Sequence, residues 1–75
     1  MGETLEEMLE RLRGACTGET GKRALAIATQ HWDTAELLRA QIVWDQISPS
    51  DREEMIRQAR LARLWAEHAE RNVAL

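Results

Sequence analysis

The sequence predicts an all-α protein: a small four-helix bundle, with short, short, medium and long helices, in a single domain over residues 1–75. Three segments carry helix start signals, apolar residues recur at helical spacing between them, and no segment alternates as a strand does. A domain this small buries only about 60% of the surface of its unfolded chain. Because the single cysteine excludes an internal disulfide, we expect homodimerisation or a partner protein to complete the core.

The first helix is predicted over residues 5–13. Thr4 and Glu7 have the spacing of a capping box, in which each side chain bonds the backbone N–H of the other residue. Gly14 is placed to end the helix. The apolar stripe between these signals is Leu5, Met8, Leu9 and Leu12.

The second and third helices are predicted over residues 21–31 and 34–47, with a sharp turn at His31-Trp32-Asp33. Asp33 and Glu36 match a capping box, and Trp32 and Leu37 have the spacing of a hydrophobic staple. The third helix is apolar nearly all round, so it must be buried nearly all round. We therefore assign three of its residues to a dimer interface: Val43, Trp44 and Ile47.

The last helix is predicted to begin at Pro49 after a Ser48 cap, with Ser50 and Glu53 as a competing capping box, and to run to Arg71. Its apolar residues form a heptad seam made mostly of alanine. The seam is either a core-facing stripe or the contact of two helices across a dimer axis. The second interpretation adds to the dimer interface Ala59, Ala62, Trp65, Ala66 and Ala69.

The opposite face of the last helix is charged, with a few apolar interruptions. Ile56 and Leu64 bracket Arg60 at four-residue steps. Arginine is enriched in protein interfaces, so Ile56, Arg60 and Leu64 form a candidate partner-binding site. The alternative is that Ile56 and Leu64 are ordinary scattered surface residues.

The stretch GACTGETGKR, residues 14–23, resembles a phosphate-binding loop only at first sight. The required pattern would need glycine where Cys16 stands and serine or threonine where Arg23 stands. The segment before it is a predicted helix, whereas the loop requires a strand. Nucleotide binding is therefore excluded, and the stretch is predicted to join two helices.

Catalytic, cofactor-binding and metal-binding residues are not predicted. Cys16, His31 and His68 lack the paired spacing of a zinc site, and nothing in the sequence orders them as a nucleophile and base. The acidic residues are spread along solvent faces without an isolated pair in an apolar setting. We expect a protein that is not an enzyme and needs no cofactor.

The charge pattern favours protein binding over nucleic-acid binding. The net charge of -3 does not suit a phosphate-neutralising protein, and no apolar run could span a bilayer, so we expect a soluble, cytoplasmic protein. The predicted function is a small regulatory or adaptor protein that binds and inhibits a larger partner. The alternative is a helix-turn-helix DNA-binding regulator over residues 21–47, with base-reading candidates Arg39, Gln41 and Gln46.

Overall fold

A computed structural model describes residues 2–43 and 48–75 of the chain, apart from the side chains of Ile42 and Val43. These residues form three α-helices, α1 (Leu5–Ala15), α2 (Glu19–Val43) and α3 (Pro49–Arg71), and contain no strand. The all-α prediction is confirmed. The predicted count of four helices is wrong, because one continuous helix, Glu19–Val43, contains the predicted second helix and the described part of the predicted third.

Helix α1 starts as predicted and ends two residues later than predicted. The Glu7 N–H donates to Thr4 Oγ1 at 3.1 Å, and the Thr4 N–H donates to Glu7 Oε1 at 3.0 Å. These two bonds confirm the capping box. Gly14 does not end the helix, because Cys16 is the extended C-cap, and its N–H donates to the Leu12 carbonyl at 2.9 Å.

Helix α2 passes through the predicted turn at Trp32-Asp33 without a break. No glycine or proline occurs from residue 22 to residue 48, so nothing in the sequence opposes helix continuation there. The Thr34 hydroxyl donates to the Gln30 carbonyl, one turn back in the same helix. Leu37 is 69% exposed, so the predicted staple with Trp32 does not form. The helix-turn-helix alternative loses its turn, because residues 19–43 are helical throughout.

Helix α3 begins and ends as predicted. Ser48 is the N-cap, its hydroxyl accepts from the Asp51 N–H at 3.2 Å, and Pro49 opens the helix. Proline suits this position because its missing N–H has no helical partner there. The competing cap is not used, since Ser50 Oγ lies 3.1 Å from Ser48 Oγ.

Helices α2 and α3 lie side by side in opposite directions as a helical hairpin. Near the start of α2 the Gly21 N–H donates to the Leu75 carbonyl at 3.0 Å, and at its middle His31 Nδ1 lies 2.6 Å from Gln58 Oε1. The shorter α1 packs on one face of this hairpin, with Cys16 Sγ 4.0 Å from the Ala69 carbonyl oxygen. The whole molecule measures 42 × 24 × 15 Å.

The stretch 14–23 joins α1 to α2, as predicted, and also binds the residues that follow α3. The Thr17 and Gly18 N–H groups both donate to the Val73 carbonyl, at 2.7 and 3.2 Å. At Gly21 a Cβ atom would lie 2.5 Å from the Asn72 carbonyl oxygen. The glycine at position 21 therefore serves the close approach of two backbone segments.

The core is built from leucine and methionine on α1 and small residues on the hairpin. The buried α1 stripe is Leu5, Met8, Leu9 and Leu12, as predicted from its spacing. It packs against small side chains of the hairpin, which are Ala24, Ala28, Ala62, Ala66 and Ala69. Small side chains let α1 approach the hairpin closely, so its leucines supply most of the buried apolar volume.

The position of the alanine seam corrects the predicted dimer interface. Ala62, Ala66 and Ala69 are 0% exposed within a single chain, so they have no surface left for a second copy. The core-facing alternative describes where they lie. Trp65 packs partly buried against the same core. Val43, Trp44 and Ile47 lie outside the described side chains, and completion by homodimerisation has no support in the structure.

Candidate functional site

Helix α1 covers only part of the hairpin face on which it packs. Its first residue, Leu5, lies beside Trp32 and Ala35, whereas α2 continues to Val43. At about 1.5 Å per residue, the part of α2 beyond Trp32 extends about 16 Å past the start of α1. A groove of about 390 Å³ opens between α2 and α3 along the first part of this stretch, as far as Arg39. We call it the hairpin groove.

The floor of the hairpin groove is apolar. Leu5 and Ala35 are buried, and Trp32, Met55 and Ala59 are partly buried. The Trp32 side chain packs with one part on the core and presents another part to the groove. A partly buried tryptophan in a groove offers a large apolar contact area to a bound group.

The rim of the hairpin groove is basic. It is formed by Ile56, Glu36 and three arginines, which are Arg39, Arg60 and Arg63. Arg39 Nη1 lies 3.3 Å from Glu36 Oε1. Among the residues that the structure describes, Arg60 and Arg63 take part in no ion pair. The rim therefore carries an excess of positive charge in a chain whose net charge is -3.

An exposed charge cluster ties the start of α1 to α3. The Arg11 guanidinium contacts Glu3 at 2.8 Å and Glu70 at 2.5 Å. The hydrogen bond from Arg11 lowers the pKa of the Glu3 carboxyl below its usual range, and the bonds to both carboxylates raise the pKa of Arg11. Because Arg11 contacts both carboxylates, the cluster helps to fix Leu5, which forms one end of the groove.

The Thr4 cap changes the pKa of Glu7. The backbone and side-chain hydrogen bonds from Thr4 lower the pKa of Glu7, with the backbone bond as the larger cause. The cap therefore favours ionised Glu7, whose negative charge lies at the positive end of the helix dipole. Both interactions hold the N-terminal turn of α1 beside the groove.

The structure separates the three residues of the predicted partner-binding site. Ile56 and Arg60 lie on the rim of the hairpin groove, and Ile56 is 42% exposed. Leu64 does not line the groove and is 61% exposed on the outer face of α3. The four-residue steps explain this difference, because each step turns about 40° around the helix and moves the side chain away from the groove.

Sequence reasoning did not single out most of the groove residues. Trp32 and Ala35 were divided between two predicted helices, although in one helix they share a face with Arg39 at spacings of three and four residues. The signal that could have joined them is the absence of glycine and proline over residues 22–48. Met55, Ala59 and Arg63 could be placed at the groove only once the position of the start of α1 on the hairpin was known.

The cysteine and the two histidines lie in separate contacts. Cys16 is buried near the Ala69 carbonyl oxygen, and His31 lies against Gln58, which in turn donates to Glu54 at 2.7 Å. His68 packs edge-on against Trp65, with ring centroids 5.6 Å apart. Over residues 2–43 and 48–75, no three His, Cys, Asp or Glu residues come together in a group that could hold a metal ion.

Comparisons with known proteins add no functional assignment. No protein-family model, curated protein or solved structure matches the chain. Within the described residues, no helix combines the length and apolar character needed to cross a membrane. The hairpin groove is therefore interpreted from its own residues.

Proposed function

We propose that this chain is a small non-enzymatic regulatory or adaptor protein that binds a partner protein through the hairpin groove. The observation that carries the proposal is the apolar floor left uncovered beyond the start of α1 at Leu5. A bound side chain would remove parts of Trp32, Met55 and Ile56 from water. Such burial favours association by about 25 cal/mol per Å² of apolar surface. By occupying a surface of its partner, the protein would regulate or inhibit it.

Two exposed apolar residues of α3 give a matched test of this proposal. Ile56→Ser changes the groove rim, and Leu64→Ser changes the outer face of the same helix. Both side chains are exposed, so both variants should unfold like the unaltered protein. Loss of a buried isoleucine contact should weaken partner binding about tenfold or more.

The measurement is affinity capture from the protein's natural source with the unaltered chain and both variants, followed by quantification of each captured protein. We expect one specific partner to be depleted by Ile56→Ser and retained by Leu64→Ser. If the two variants retain the same proteins in the same amounts as the unaltered chain, the hairpin groove is not the binding site.

A further inference from the structure

Resting on the proposed function, we infer that the occupant of the hairpin groove is an amphipathic α-helix of a partner protein whose apolar stripe is edged with aspartate or glutamate. The inference names the partner's chemistry from two observations. The groove lies in line with α1, which packs on the same face of the hairpin, and the rim of the groove is basic.

Helix α1 shows what this face of the hairpin accepts. Its apolar stripe, spaced at three and four residues, is buried on the hairpin from Leu5 to Leu12. The hairpin groove begins where this stripe begins, at Leu5, and extends along the same two helices. Its lining residues on α3 run from Met55 to Arg63, about 12 Å, which matches a helix of about eight residues. A partner helix would thus lie in line with α1 and bury its stripe on Trp32, Ala35 and Ala59, a helix-in-groove mode.

The rim determines the charge of the occupant. Arg60 and Arg63 come from α3 and Arg39 from α2, so guanidinium groups stand on both helices that line the groove. Carboxylates beside the bound stripe would form charge-assisted pairs with them, whereas lysines there would be repelled. Helix α1 makes a pair of the same kind with the charges exchanged, since Arg11 of α1 contacts Glu70 of α3.

A second copy of the chain is a poorer occupant. The acidic helix that it could offer is α1, whose apolar stripe is buried in its own fold with each side chain at most 7% exposed. Nucleic acid is also disfavoured, because the floor between the arginines is apolar and the chain as a whole is acidic.

Two designed peptides test the inference with the full chain. Each has about 12 residues, a covalent cross-link between two side chains that holds it helical, and leucines at i, i+3, i+4 and i+7. One carries glutamates beside the leucines and the other carries lysines. Fluorescence anisotropy should show the glutamate peptide binding about tenfold more tightly than the lysine peptide at low salt, with the difference shrinking as salt is added.

Variants show whether the groove produces this preference. Arg60→Glu combined with Arg63→Glu should reverse it. Arg57→Glu should preserve it, because Arg57 lies on α3 outside the groove, 2.6 Å from Glu54. Ile56→Ser should weaken the binding of both peptides.

Several results would overturn the inference. If both peptides bind equally and Ile56→Ser weakens both, the groove binds a helix but does not select acidic residues beside its apolar stripe. Binding of neither peptide at millimolar concentration would reject the helical occupant, and the capture comparison would judge the groove independently. A dimer dispersed by Ile56→Ser would assign the groove to a second copy. Retention of duplex DNA that is lost with Arg60→Glu would assign the rim to nucleic acid.

Discussion

Two glycines in neighbouring parts of the chain show how differently one residue type is used. Gly14 lies in the last turn of α1, and a Cβ atom there would meet nothing within 4 Å. Gly21 lies in the first turns of α2 and is buried against residues 72–75, whose backbone accepts its N–H. The sequence alone presents both as loop glycines. Only the packing of α3 against α2 distinguishes them.

Alanine substitutions at these two positions should have opposite effects. Gly14→Ala should stabilise the protein by about 0.5 to 1 kcal/mol, because alanine loses less backbone entropy in a helix. Gly21→Ala should destabilise it by about 1 to 3 kcal/mol, because the added Cβ would force two backbones apart. Urea denaturation of both variants measures the two changes. Equal effects would show that residues 72–75 do not pack on the start of α2.

The single helix from Glu19 to Val43 explains which start signals in the sequence were informative. The signals at Thr4 and at Ser48-Pro49 predicted real helix starts. The signal at Asp33 did not, because an Asp-x-x-Glu pattern is also compatible with a helix interior and no breaker residue accompanies it. The apolar faces of α1 and α3 could be predicted from spacing. The position of Trp32 and Ala35 on one groove could not be predicted, since it requires a continuous helix where the sequence indicated a turn.

Proline at position 34 distinguishes one helix from two. In a helix beginning after an Asp33 cap, position 34 is the first helical residue and accepts proline. Inside α2, Thr34→Pro removes a backbone hydrogen bond and clashes with the Gln30 carbonyl, which should cost about 3 kcal/mol or more. Thermal unfolding measures the loss, and Thr34→Ala is the control, expected to be neutral or slightly stabilising. A stable Thr34→Pro variant would restore the predicted turn.

At the level of the whole molecule, the proposed function depends on unequal helix lengths. Helix α1 has 11 residues and α2 has 25, so one helix cannot cover the hairpin face that the other two create. The uncovered part combines an apolar floor with arginines, although the chain as a whole is acidic. The sequence indicated surplus apolar surface and put Ile56 and Arg60, both of which line the groove, in a candidate partner-binding site. It could not locate the groove, because its limits depend on where α1 starts relative to the hairpin.

Thiol labelling tests most directly whether α1 leaves part of the hairpin face exposed. Both variants carry Cys16→Ser, so that each has a single thiol. Ala59→Cys places the thiol in the hairpin groove. Ala62→Cys places it three residues further along α3, where the alanine is 0% exposed beneath α1. We expect maleimide to modify the thiol at position 59 rapidly, and the thiol at position 62 only as fast as the protein opens. Comparable protection of both positions would contradict an open groove, and comparable reactivity would contradict the packing of α1 on the hairpin.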